Sequence, residues 1–219
     1  MSNNTAKMNM IKQQIRTWGI NDQRILHAFY ELPRDQFVPE RYKDSAYGDF
    51  TIPLDFNECM LKPMVEAKIL ELLNIQNNET VLEIGTGSGY FTALLAKLAT
   101  SVVSIDIHNS FITQAKYKLK SLGVFNVKLI TGDAINNFED QSNYDVIVIT
   151  GSMPEVPKSF CDKLTIGGRL FVIVGQNKAP IMEATIVTRV SETELQTQKV
   201  FETVAPALHS VEQPEQFTF

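Results

Sequence analysis

The 219-residue chain has little cysteine, no excess of positive charge and no long apolar run. Its two cysteines, Cys59 and Cys161, have neither metal-ligand spacing nor the density of a disulfide framework, so we expect reduced, buried thiols and no metal site. The net charge of −5 gives no general attraction to nucleic acid or to an anionic membrane, and neither is expected as a partner. No segment reads as a membrane span or a secretory signal, which predicts a cytoplasmic protein.

The most informative stretch is Val81–Tyr90, where a short apolar strand with one acid precedes three alternating glycines and an apolar helix. This order is typical of the first βα turn of a nucleotide-binding sheet. Gly85, Gly87 and Gly89 permit a tight turn with positive φ and a close approach of a ligand to the backbone. We therefore predict a ligand bound against the main chain, with Glu83 facing its cationic or zwitterionic part.

The spacing of these residues distinguishes between cofactors. A dinucleotide fingerprint needs a glycine where this chain has Tyr90, so NAD is not expected. Asp106 ends the next apolar strand, 19 residues after Gly87, and can accept hydrogen bonds from both ribose hydroxyls. Asp133 follows a third strand and can accept from an adenine amino group. A tight glycine turn that binds no ligand is the alternative interpretation.

Alternating segments predict an α/β fold. Apolar strands are expected at 81–84, 101–106, 126–131, 144–150 and 169–174, with helices at 64–73, 90–99, 109–121 and 157–164. Two β-branched segments, 181–190 and 194–205, predict a terminal antiparallel pair. Together these elements make a doubly wound, mostly parallel, seven-stranded Rossmann-like sheet.

The first 60 residues are predicted to form a helical and lid extension packed on a domain that spans 61–219. Residues 1–7 are polar and expected to fray, whereas an apolar stripe ending at Trp18 predicts a first helix. Asn21 or Asp22 can cap a second helix that ends before Pro33. The proline- and aromatic-rich stretch 32–60 is expected to be irregular and able to cover a site.

The glycine motif, E-x-G-x-G-x-G, resembles motif I of the class I S-adenosylmethionine-dependent methyltransferases. Four N-terminal segments, at 10–20, 32–40, 46–47 and 62–65, resemble the protein-L-isoaspartate O-methyltransferases, and the likeness covers roughly residues 8–175. It implies methyl transfer from S-adenosyl-L-methionine to the α-carboxylate of isoaspartyl residues in damaged proteins, opening a route back to aspartate. The cofactor-binding residues that it implies are Glu83, Gly85, Thr86, Gly87, Gly89, Asp106, Ile107, Gly132, Asp133, Ala134 and Thr150.

The chain departs from the family pattern on the acceptor side. The family usually has Thr-Ile-Ser-x-Pro before its first domain helix, and here Leu61 stands in place of the serine. Ala134 replaces a glycine after Gly132-Asp133. A carboxylate acceptor is already ionised at neutral pH and needs no catalytic base. The candidate residues at the acceptor are Leu61, which has the position of the serine, and Lys62, which could attract a carboxylate. A changed acceptor, or cofactor binding without turnover, remains an alternative, and the oligomeric state is not predicted.

Overall fold

This computed structural model describes residues 3–177 and 179–212. Its N-terminal region is more helical than the sequence predicts. Helix α1 (Asn3–Asn9) continues into a π-helical turn (Met10–Ile15) and a 3-10 turn (Arg16–Trp18). The expectation of a frayed end is therefore wrong for residues 3–7, and residues 1–2 lie outside the described residues. The π turn shifts the helical phase, so Trp18 leaves the apolar stripe and is 55% exposed.

Helix α2 (Gln23–Glu31) follows the predicted pattern. The Asp22 side chain caps it by accepting a hydrogen bond from the Arg24 backbone N–H at 2.8 Å. Its apolar side chains, including Phe29, are buried in the core, whereas His27 lies on the surface. The segment 32–60 is irregular, as expected, with short 3-10 turns and a two-stranded hairpin of β1 (Ile52–Pro53) and β2 (Cys59–Met60).

A seven-stranded mixed sheet forms the centre of the fold. The elements after the hairpin are α3 (Pro63–Leu73), β3 (Thr80–Ile84), α4 (Tyr90–Leu98), β4 (Ser101–Asp106), α5 (Asn109–Ser121), β5 (Val127–Thr131), β6 (Tyr144–Met153), α6 (Lys158–Cys161), β7 (Leu164–Val174), β8 (Met182–Arg189) and β9 (Leu195–Thr203). The strand order is β5-β4-β3-β6-β7-β8-β9, parallel from β5 to β7 and antiparallel from β7 to β9. The predicted fold class and terminal antiparallel pair are confirmed.

The two faces of the sheet are covered differently, and β3 shows how. Val81 belongs to a core that also contains buried residues of α2, α3 and α4, whereas Leu82 and Ile84 belong to a second core that includes Phe160 of α6. This division follows the alternation of side chains along a strand. The N-terminal residues Met10 and Ile15 also belong to the first core.

Some element boundaries and surfaces differ from the predictions. The helix expected at 157–164 is shorter and spans only Lys158–Cys161 (α6), because Leu164 already pairs with Tyr144 as part of β7. The run of Lys116, Lys118 and Lys120 near the end of α5 predicts a solvated face. The Nζ of Lys118 instead donates to the Phe37 carbonyl oxygen at 3.1 Å, and burial lowers the pKa of this lysine. Among the described residues, no helix combines the length and apolar character needed to cross a bilayer.

Candidate active site

A cleft lies where the parallel strands end, beside the point at which the strand order reverses between β3 and β6. Open α/β sheets bind ligands at this place. The segments around Glu58–Leu61 and Pro206–His209 cover its opening. The strand ends contribute Ile84, Gly85, Gly87, Ile105, Asp106, Ile107, His108, Gly132, Asp133, Ala134, Ile135, Thr150 and Gly151 to its lining.

The glycine loop after β3 forms one wall of the cleft. Gly85, Gly87 and Gly89 have φ angles of 97°, 50° and 83°, as the motif predicts. A Cβ on Gly85 would lie 2.2 Å from Oγ1 of Thr150, so no larger residue fits between β3 and β6. Gly89 instead allows close packing against α5, because a Cβ there would come within 2.8 Å of the Ala115 Cβ. Gly85 and Gly87 therefore line the cleft, and Gly89 permits helix packing.

Asp106 connects the glycine loop to the end of β4. One carboxylate oxygen accepts from the Gly87 backbone N–H at 2.8 Å, and the other accepts from the His108 N–H at 2.8 Å. The residue is only 7% exposed, yet it lines the cleft beside Ile107. A carboxylate has about four acceptor positions, so lone pairs remain for a ligand's hydroxyl groups.

Asp133 is a second acceptor in the lining of the cleft, between Gly132 and Ala134 just after β5. Its Oδ1 accepts from the backbone N–H groups of Ile135 and Asn136 at 2.9 and 3.2 Å. Partial burial opposes ionisation, but hydrogen bonds from Ser210 and Asn136 outweigh it and hold the pKa of Asp133 below its usual value. An ionised carboxylate therefore faces the cleft at this point.

Glu83 and Thr86 differ from their predicted positions, because neither is among the residues that line the cleft. Glu83 is fully buried beneath α4, and its Oε2 accepts from Thr92 Oγ1 at 2.5 Å and from Ser104 Oγ at 2.6 Å. Burial raises the pKa of Glu83 to about 8, although both hydroxyl groups oppose the shift. The alternation along β3 turns Glu83 to the same face as Val81, away from the strand-end cleft. Glu83 therefore links β3 to α4 and β4 through buried hydrogen bonds and does not face the cleft.

A groove adjoins the cleft, and Leu61 lies where the two meet. Leu61, Cys59 and Pro206 line both spaces, whereas Lys62 lines only the groove. The other walls of the groove come from Trp18, the start of α3 and the segments 180–182 and 201–205. Burial raises the pKa of the Cys59 thiol to about 11, so this cysteine is a poor nucleophile at neutral pH.

A buried ion pair holds the backbone of Leu61 in place. Arg34 is fully buried, contacts the Glu66 carboxylate and donates to the Leu61 carbonyl oxygen at 2.6 Å. Its guanidinium lies 4.7 Å from the centre of the Tyr90 ring. Burial raises the pKa of Glu66 to about 7, and Arg34 opposes that shift. Sequence analysis did not single out this pair, although Arg34 lies within one of the segments that carry the resemblance.

Comparison with known proteins identifies the family. A model described as protein-L-isoaspartate(D-aspartate) O-methyltransferase matches residues 4–208. The chain belongs to this family. Two proteins named protein-L-isoaspartate O-methyltransferase, from Koribacter versatilis and Syntrophus aciditrophicus, are 37% and 39% identical to it. The alignments cover 87% and 85% of this chain, and 85% and 84% of the two relatives.

Solved structures agree with the methyltransferase family assignment. A protein-L-isoaspartate O-methyltransferase structure superposes with a TM-score of 0.80 at 25% identity, covering 95% of this chain and 66% of that chain. This chain therefore spans about two thirds of that longer one. A Plasmodium falciparum structure in complex with S-adenosyl-L-homocysteine superposes with a TM-score of 0.79 at 18% identity. The superposition covers 95% of this chain and 98% of that chain, and at this low identity it supports only the fold.

Within the protein-L-isoaspartate O-methyltransferase family, Leu61 is the departure with the clearest structural setting. It is 7% exposed and occupies the junction of cleft and groove, where the family pattern has a serine. A leucine side chain offers no hydrogen-bond donor at this junction. The second departure, Ala134, lines the cleft and packs its methyl group against the second core.

Proposed function

We propose that this chain transfers a methyl group from S-adenosyl-L-methionine to the α-carboxylate of isoaspartyl residues in proteins. Family membership supports the reaction. The observation that carries the proposal is the junction at Leu61, where a cleft suited to a nucleoside opens into a groove on the protein surface. A cofactor in the first space and a protein segment in the second would meet there.

The residues of the cleft fit S-adenosyl-L-methionine. Asp106 would accept from the ribose hydroxyls and Asp133 from the adenine amino group, while Ile107 offers an apolar surface for the base. The backbone of Gly85 and Gly87 would approach the amino-acid portion closely because no Cβ intervenes. When bound, the sulfonium supplies an electrophilic methyl group and leaves as a neutral thioether.

On the acceptor side, the chain's work is positioning and exclusion of water. The acceptor carboxylate is ionised at neutral pH, so no side chain has to remove a proton. Lys62 carries a positive charge in the groove and would attract the carboxylate. Arg34 holds the carbonyl group of Leu61, which keeps the backbone at the junction in one conformation. Glu58 and Cys59, at the end of the predicted lid, would shield the reacting atoms from water together with Leu61 and Pro206–His209, which lie outside it.

A second candidate function is methyl transfer to a different carboxylate or to a small molecule. It is favoured by Leu61, because an apolar side chain at the junction would leave a polar acceptor without the donor that the family's serine supplies. Under this alternative the cofactor site is unchanged and the acceptor differs.

A single substitution separates the two candidates. Leu61→Ser restores one hydroxyl group, which is worth on the order of 0.5 to 1.5 kcal/mol when a partner is within reach. Isoaspartyl turnover should then rise by up to roughly tenfold. Val204→Ser, which adds a hydroxyl group elsewhere in the same groove, is the matched control and should leave turnover unchanged. The assay measures transfer of labelled methyl groups to an isoaspartyl peptide.

Background counts from the wild type and from Leu61→Ser would rule out an isoaspartyl acceptor. Labelling of other molecules in a cell lysate would then favour the changed acceptor, whereas no labelling would favour cofactor binding without turnover. We also propose a cytoplasmic protein that does not act on nucleic acid. The net charge of −5 and the unpaired state of both cysteines support these two points.

A further inference from the structure

Three side chains from distant parts of the sequence meet at the opening of the cleft. A carboxylate oxygen of Glu58 and one ring nitrogen each of His108 and His209 all lie within 4.8 Å of one another. Glu58 precedes β2, His108 precedes α5, and His209 lies in the C-terminal segment. Two imidazoles and one carboxylate form a ligand set that zinc and related transition metals favour. We propose that these three residues bind one divalent metal ion of the zinc class.

The distances suit such an ion after small side-chain movements. A tetrahedral zinc ion with bonds of about 2.1 Å requires ligand atoms roughly 3.4 Å apart. Nε2 of His209 and Oε1 of Glu58 are already 2.9 Å apart. Bringing the remaining ligand atom from no more than 4.8 Å to that separation takes a shift on the order of 1 Å. Three protein ligands would leave a fourth position for water.

The surroundings of His108 give a second argument. Its Nε2 is shielded from solvent and has no hydrogen-bond partner among the described residues. A buried polar atom without a partner is costly, and a metal bond would remove that cost. The imidazole stacks on Phe56 with ring centroids 3.9 Å apart and planes 5° apart, which holds the ring in one orientation. His108 is therefore a preoriented ligand, and the exposed His209 can adjust to it.

The ion would add to the link that the hydrogen bond between Glu58 and His209 already makes across the cleft. Glu58 belongs to the N-terminal cover of the cleft and His209 to the C-terminal cover, while His108 is attached to the end of β4. A metal bound by all three would tie both covers to the sheet. It would act as a structural clip, and its binding would not depend on methyl transfer.

Zinc binding by the full-length protein, freed of metal and measured without cofactor, tests this site. Calorimetric titration with zinc chloride should give one ion per chain for the wild type. His209→Asn and Glu58→Gln should each weaken binding by about tenfold or more, because each removes one of three ligands. The chain has three histidines in total, so His27→Asn, at a surface site beside Glu31, is the matched control and should bind zinc like the wild type.

A second readout separates loss of the site from a folding defect. Zinc at about 100 times its Kd should raise the Tm of the wild type by about 5 °C or more, and should raise the Tm of His209→Asn much less. All variants should have the wild-type Tm within about 2 °C when zinc is absent. Absence of zinc binding by the wild type, or equal binding by His209→Asn and Glu58→Gln, would overturn the proposal.

Discussion

Replacing Glu83 by glutamine tests the physical state of the buried acid behind the glycine loop. Burial raises the pKa of Glu83 from 4.5 to about 8 in the folded protein. Because the folded-state pKa lies above the unfolded value, the stability linked to this proton is fully present below pH 4.5 and is lost as the pH rises through 8. Between these two values the folded state holds one more proton at this position than the unfolded state.

The expected magnitude follows from that one proton. One extra proton in the folded state lowers the free energy of unfolding by about 1.4 kcal/mol for each unit by which the pH rises. From about pH 5.5 to about pH 7, the wild type should therefore lose about 2 kcal/mol more stability than Glu83→Gln, which has no proton to lose. Glutamine has nearly the same shape, and its carbonyl oxygen can still accept from Thr92 and Ser104.

Urea unfolding at several pH values in this range measures the difference. Glu194→Gln, a surface substitution before β9, is the matched control and should follow the wild type. Glu66, whose pKa burial raises to about 7, titrates in all three proteins, so most of its contribution cancels in the comparison, and what remains is its repulsion of Glu83. Parallel stability curves for the wild type and Glu83→Gln would show that Glu83 is ionised when folded and would refute the reasoning.

Three further predictions concern cofactor and acceptor. Asp106→Ala should weaken binding of S-adenosyl-L-homocysteine by roughly 1 to 3 kcal/mol in calorimetry, whereas Asp44→Ala on the surface should bind it like the wild type. If Asp106→Ala binds it as tightly as the wild type, Asp106 is not part of the cofactor site. NAD should not compete with S-adenosyl-L-homocysteine, since Tyr90 stands where the dinucleotide motif needs glycine; saturable competition would contradict the cofactor assignment. Arg34→Met should lower the free energy of unfolding by about 3 to 5 kcal/mol in urea, because it leaves Glu66 buried without its partner; a loss under about 1 kcal/mol would show that the pair is not coupled.

Much of the fold could be predicted because its signals are local. Apolar strands that end at Asp106 and Thr131, and the positive φ angles at Gly85 and Gly87, follow from short patterns that contain their own physical cause. Asp22 caps α2 for the same reason, since the acceptor and the N–H group that it binds are two residues apart. The family resemblance likewise depended on contiguous segments.

Local patterns failed where one element's environment depends on another. The stripe that ends at Trp18 has helical spacing, but a π turn before it rotates the side chain into solvent. Lys118 has neighbours of like charge in sequence, yet it contacts Phe37 across the fold. A change in helical phase determined the exposure of Trp18, and a packed partner determined that of Lys118, so the residue type decided neither.

The sequence by itself determined the glycine loop, the alternation of helices and strands, and the acids that end β4 and follow β5, because each depends on neighbouring residues. Only the tertiary structure decided which side of the sheet Glu83 faces and what holds Leu61 at the junction of cleft and groove. It alone brought Glu58, His108 and His209 together. These arrangements join residues that lie far apart in the chain, and their distances are set by packing of the whole core, which no short pattern contains.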